Sequence, residues 1–412
     1  MLIEMLDGRA GVRLWAGVGT SVPWLGMALA VLAGCADPSR ADPHDEVIPW
    51  LEFPDTVELG GTQAEGPEAF GTIRAAAILD DEARLIVADG QTQELHLFSL
   101  SGQHLAQLAG RGGGPGEHRA IREVRATKDG GFCTWDVQTV RASRFDSDGR
   151  LVSTGTANLD HMESIRPAFQ GFVQECGFVL RDQRSEMGMH DVPEGPRRDT
   201  VTFALFGADG AEIRQLVRRP GSLQWFRNRD RTWGHVTPIF GGELVAFTHG
   251  EELWVGNSSD FVWTRIGLDG DTVGTVGISQ EPRVATDADI DAERARRVAE
   301  IKARRISVSI GPPDLMERMA EAEREGVRAV LAQDTIPAYD VVVPTLSGDF
   351  WLRRYPMPTE SEATWVVLDS LARPVGQMTL PRGDSILDAS PHAVLVSTQD
   401  DMDAPVLRIL RR

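Results

Sequence analysis

Apolar residues in this chain come in short runs, mixed with polar positions, that end at turns rich in Gly, Asp and Ser. Arg84–Ala88, Glu94–Phe98, Leu244–Phe247 and Phe350–Leu352 are such runs, and they read as β-strands. A six-residue pattern recurs among them: an apolar residue, three mostly polar or small ones, Gly, then a polar or small one. It occupies 98–103, 145–150, 206–211 and 266–271, with a worn copy at 368–373. Its glycines, Gly102, Gly149, Gly210 and Gly270, suit a tight turn that needs positive φ. A second turn precedes each copy, at 80–82, 129–131, 170–171, 241–242 and 347–349. The unit is therefore strand, turn, strand, loop, strand, Gly-turn, strand, which makes one four-stranded antiparallel blade. Blades repeated along a chain build a β-propeller.

Five blades carry a legible hexad. A sixth is expected from Ser385 to Arg412, with strands at Ala393–Ser397 and Val406–Leu410. Its missing outer strand would come from Asp55–Leu59, so that both chain ends close the ring and leave no open edge there. The expectation is an all-β, six-bladed β-propeller; seven blades is the alternative.

The β pattern breaks between Asp287 and Gln333. Ile290, Arg294, Val298 and Ile301 mark one stripe of a helix. Gly311–Pro313 interrupts the chain, and Asp314 with Glu317 reads as the capping box of a second helix. Leu315, Met319, Ala322, Val327, Val330 and Leu331 would form its inner face. This is a helical insertion between blades four and five, either a brace or a lid over the mouth of the ring.

Composition adds an address. The chain has 412 residues, 42% of them hydrophobic and 25% charged, which rules out whole-chain disorder. Its net charge of −19 would be repelled by phosphate, so a general nucleic-acid binder is excluded. Leu14–Gly34 carries no charge and ends in Leu32, Ala33, Gly34 and Cys35. That ending resembles the lipobox of a bacterial lipoprotein signal peptide. The resemblance implies cleavage before Cys35, a lipid on its sulfur and a place in the cell envelope, on the periplasmic side of a membrane or at the cell surface. A membrane-spanning helix is the other reading, but Gly17, Gly19, Pro23 and Gly26 make a poor one. The expected organisation is a signal peptide at 1–34, a tether at 35–49, propeller at 50–286, the helical insertion at 287–333 and the rest of the propeller at 334–412.

Gly110–Glu117, just after Leu105–Leu108, resembles the GxGPGEF junction of bacterial six-bladed propeller lipoproteins related to NHL repeats. That family usually carries Phe where this chain has His118. Leu85–Asp89 and the ending at 400–410 fit the same pattern. The resemblance covers about residues 50–412 apart from the insertion. It implies the fold and an envelope address, and no particular reaction.

Candidate chemistry is sparse. Cys133 and Cys176 read as two buried free thiols rather than a pair. No CxxC, HExxH or GxSxG motif occurs. Trp225, Arg227, Arg229 and Trp233 fall in what reads as a loop, where guanidinium forks and aromatic faces suit an anionic or sugar ligand. His161 and His235, with His118 in a comparable place, precede first strands of blades and are the candidate ligands for a divalent metal; no other cofactor is expected. Trp135, Trp254, Trp263, Trp351 and Trp365 lie in strands and are expected in the core. The reading that fits best is a lipid-anchored binding or scaffolding module for an envelope protein, peptide or glycan. The alternative is a metal-dependent lyase or hydrolase at the axial mouth, and a purely structural protein with an apolar plug is the third.

Overall fold

The computed structural model describes residues 48–79, 83–164, 167–183, 194–229, 232–303 and 313–412. Cys35, the leader and the tether up to residue 47 lie outside them. Six four-stranded antiparallel sheets follow one another along the chain, so the fold is a six-bladed propeller. From inner to outer strand, blade 1 is Ile73–Ile78, Arg84–Asp89, Glu94–Ser99 and His104–Ala109. Blade 2 is Ile121–Ala126, Phe132–Asp136, Arg141–Phe145 and Leu151–Thr156. Blade 3 is Ala168–Phe172, Phe178–Gln183, Thr200–Phe206 and Glu212–Pro220. Blade 4 is Leu244–His249, Glu252–Asn257, Phe261–Gly267 and Thr272–Ile278. Blade 5 is Tyr339–Pro344, Phe350–Arg354, Glu362–Leu368 and Pro374–Pro381. Blade 6 takes Ser385–Ala389, Ala393–Gln399 and Pro405–Arg411 from the end of the chain and Asp55–Gly60 from its beginning. The closing pair runs without a break from Asp55 opposite Arg411 to Gly60 opposite Val406.

The hexads are the turns between third and outer strands. Gly149 and Gly270 sit there at φ +77° and +90°, a region an L side chain enters at a cost of roughly 1–2 kcal/mol. The worn copy bears that cost, since Ala372 keeps the same hand at φ 60°. A second repeated device locks the entry to the ring. Asp89, Asp136 and Asp182 lie at or next to the ends of their second strands. Each carboxylate accepts backbone N–H bonds from the segment leading into its own inner strand: Gly71 and Thr72, Arg119 and Ala120, Glu163 and Ser164. Burial alone would raise the Asp136 carboxyl, but these N–H donors together with Thr139 hold it below the ordinary range.

Each seam between neighbouring blades has its own apolar core. The five strand tryptophans go there: Trp135 between blades 2 and 3, Trp254 and Trp263 between 4 and 5, Trp351 and Trp365 between 5 and 6. Inner strands touch closely at every seam but one. Those of blades 2 and 3 barely meet. That seam carries a disulfide, Cys133 in blade 2 to Cys176 in the first turn of blade 3, with Cα atoms 5.6 Å apart. The expected free thiols are thus a bonded pair. Forty-three residues of sequence hid the proximity that the ring creates.

Helix α1 (Asp287–Ala303) and helix α2 (Pro313–Ala329) come after Thr272–Ile278 and before Tyr339–Pro344 in the chain. α1 begins on a reciprocal cap that the sequence reading passed over: Thr286 Oγ1 accepts from Asp289 N at 3.2 Å, and Asp289 Oδ2 accepts from Thr286 N at 3.0 Å. α2 begins at Pro313, so Asp314 lies inside the first turn rather than at its cap. Ile301, Val327 and Val330 pack with Val236, Ile239 and Met357 in a separate apolar cluster.

Two outcomes test this frame. Replacing Cys133 and Cys176 together by Ala should lower stability by about 4 kcal/mol, the loop entropy of a closure this long, read from urea unfolding. A chain starting at Gly61 leaves the Pro405–Arg411 edge bare and should lose its cooperative melting transition, followed by circular dichroism.

Candidate binding sites at the two mouths of the ring

One mouth carries the helices. Glu293 on α1 is fully buried and organises the contact: its carboxylate accepts from Arg296 Nε at 2.8 Å, Arg297 Nε at 2.8 Å and Tyr355 OH at 3.1 Å. Burial would raise its carboxyl, yet the two guanidiniums outweigh burial and hold it below the usual range. The Tyr355 hydroxyl is pushed up to about 12 by burial and then by the Glu293 charge. A buried ionic knot of this kind fixes position more than it adds stability.

Between this knot and blades 4 and 5 lies a chamber of about 530 Å³. Arg296, Arg297 and Glu300 face it from α1, and Glu243, Asp340 and Arg382 from the ring. Arg353, also on its wall, is held bidentately by Asp340 at 2.8 and 2.8 Å. Arg382 differs: among the described residues its guanidinium reaches only the Pro356 carbonyl, at 3.4 Å. Glu243 faces Arg181, whose own charge is disfavoured first by burial and then supported by Glu243. The chamber therefore brings together an underused cation, Arg382, and an anion, Glu243, that it shares with Arg181.

The residues singled out from sequence lie beside this mouth. The segment from Gln224 is a β-hairpin, Gln224–Arg229 paired with Thr232–Val236, and not a loop. Trp225 is half-buried against the helical cluster. Arg227, Arg229 and Trp233 share the hairpin, opposite Gly234, Thr232 and Asn228, and their side chains lie outside the description. His161 is exposed in the linker into blade 3. His235 pairs with Phe226 in the hairpin, its side chain likewise outside the description. His118 is buried, with Nε2 2.9 Å from Thr134 Oγ1 and its ring near Phe145. Burial lowers its pKa to about 4, only partly offset by Asp136. Among the described residues no group of three or more His, Cys, Asp or Glu is placed to hold an ion.

The axis itself is polar, which the sequence reading missed. Five inner strands carry a bulge after their first or second residue, as at Ile73/Ala75, Ile121/Glu123 and Ile386/Asp388. Past those bulges, Glu123 and Arg125 of blade 2 and Asp388 of blade 6 form one electrostatic cluster. Arg125 donates to the Pro344 carbonyl of blade 5 and stands 3.5 Å from Glu123. Asp388 Oδ2 accepts Ile78 N of blade 1 at 2.9 Å, while its Oδ1 has no partner among the described residues. Glu123 keeps a third of its side chain open, yet burial still raises its carboxyl. The signal was there in the sequence, as charges inside apolar inner strands. Beyond Arg125 the other mouth widens to about 720 Å³, walled by blades 2 to 5 and including Lys128, Arg144, His249 and Trp254.

No protein-family model matches the chain, and no curated protein does. Solved structures do. A protein described as exported from Bacteroides fragilis aligns over 87% of this chain and 95% of its own, at 10% identity and TM-score 0.44. A DUF4221-family member from Bacteroides vulgatus covers 88% and 98%, at 10% identity and TM-score 0.45. Virginiamycin B lyase from Staphylococcus aureus covers 87% and 100%, at 11% identity and TM-score 0.35. At these levels the likenesses assign no function.

Two buried groups set opposite pH slopes. Asp388 rises from 3.8 to about 6 on folding, so the folded state binds the extra proton between those values and loses about 3 kcal/mol as pH rises through them. His118 falls from 6.5 to about 4, so stability drops by a similar amount as pH falls from 6.5 to 4. In the wild type the two slopes nearly cancel between pH 4 and 6. Asp388→Asn should be more stable than wild type at pH 7 and should unmask the acid-side loss. His118→Phe should remove that loss and reveal the opposite slope. Melting temperatures measured from pH 4 to 8 check both.

Proposed function

We propose that this chain is a lipid-anchored envelope protein that binds a small ligand carrying charges of both signs, such as a short peptide, in the chamber roofed by the helices between blades four and five. The carrying observation is the chamber itself: about 530 Å³, within the roughly 300–1,000 Å³ usual for small-ligand sites, with Arg382 and Glu243 inside it. A carboxylate would satisfy Arg382 better than a carbonyl at 3.4 Å does. An ammonium would find Glu243, since Glu300 is already held by Arg296. The polar axis and the open volume at each mouth speak against a purely structural ring, which would be plugged by apolar side chains. The address draws on the apolar stretch ending at Cys35 and on the Cys133–Cys176 disulfide, a bond that persists in oxidising compartments.

The test uses the soluble chain starting at Ala36. Tri- and tetrapeptides with free termini should raise its melting temperature, and a neutral oligosaccharide should not. Arg382→Ala and Glu243→Gln should each abolish the peptide shift while leaving the unliganded melt nearly unchanged. A peptide shift that survives both substitutions would place the ligand elsewhere.

A further inference from the structure

The first described residues do not hang free of the ring. Leu51 N donates to Gln377 O at 2.8 Å, Gln377 N donates to Pro49 O at 2.9 Å, and Gln377 Nε2 reaches Ile48 O at 3.1 Å. The Trp50–Gln377 bridge is parallel, so residues 48–51 lie along the outer strand of blade 5, where Leu51 covers Gly376. Trp50 stands on this edge 59% exposed. Val375 on the same strand and Leu371 in the turn before it are 45% and 54% exposed. Trp135, Trp254, Trp263, Trp351 and Trp365 are all buried, which sets Trp50 apart.

Two further facts say what covers this edge. It is where the chain from Cys35 enters the ring, and the residues between Cys35 and Ile48 span at most about 45 Å fully extended. The protein also carries a net charge of −19, so attraction to an anionic headgroup layer cannot hold it down. With bulk electrostatic attraction disfavoured, an apolar contact is favoured, and Trp is the side chain that suits the boundary between headgroups and acyl chains.

We propose that the outer edge of blade 5, formed by Trp50, Leu371 and Val375, rests against the lipid bilayer, with Trp50 in the interface. This rests on the lipid-anchor reading of Cys35. The experiment places the full-length lipidated protein on phosphatidylcholine vesicles with brominated acyl chains, which quench tryptophan only at close range. Wild type should float with the vesicles and show a quenched component that is absent on unbrominated vesicles. Trp50→Phe should float equally and lose that component. Leu371→Glu with Val375→Glu should reduce it while Trp50 remains. A protein that floats without quenching, or whose quenching survives Trp50→Phe, overturns the bilayer contact and leaves the anchor standing. A wild type that does not float, or floats no better than Cys35→Ser, overturns the anchor and the contact with it.

Discussion

The pairing of Asp55–Gly60 with Val406–Arg411 is the constraint on which the ring depends. A propeller has no single core. Its stability lies in seams, and each seam needs a blade on both sides. Six consecutive paired residues join the two ends of a 412-residue chain, and they convert an open stack into a cycle in which each blade has two neighbours. Leu59 of the closing strand belongs to the core between blades 6 and 1, so closure also completes a hydrophobic layer. Arg408–Glu58 and Arg411–Asp55 add side-chain pairs along the same register.

The ring is uneven, and its unevenness is chemical. The seam between blades 2 and 3 has little inner-strand contact and holds the disulfide. Glu175 and Cys176, in the turn that carries one sulfur, both have positive φ without being glycine. A covalent bond is well suited to hold such a turn, because it acts where the inner strands barely meet and adds to the apolar core farther out in the seam. The cavity of about 720 Å³ opens beside this place, with Cys133 and Glu175 on its wall.

Much of this architecture could be read from residues. The hexads placed five turns, and the run at Asp55–Leu59 placed the closing strand, because turn chemistry and strand period are local properties. What could not be read depended on closure. Cys133 and Cys176 are far apart in sequence and adjacent only once two blades stand side by side. Arg125, Asp388 and Pro344 come from three blades and meet only on the axis. The Gln224–Val236 hairpin reads as a loop from sequence alone, because arginines and tryptophans crowd it and leave no clear strand period. His118, in the glycine-rich junction into blade 2, is buried and held uncharged, which its residue type alone did not announce.

The clip of residues 48–51 on Gln377 has a mechanical meaning. If the ring is held through Cys35 and pulled, any tension enters the fold at Ile48. The first bonds to carry it are the few around Gln377 on the outside of blade 5, together with the seat of Leu51 against the core between blades 5 and 6. Only when they have given way does the load reach Asp55 and the register that keeps the ring closed. On the lipid-anchor reading the clip would work as a fuse: it would yield first, lengthen the tether by a few residues, and spare the closure behind it.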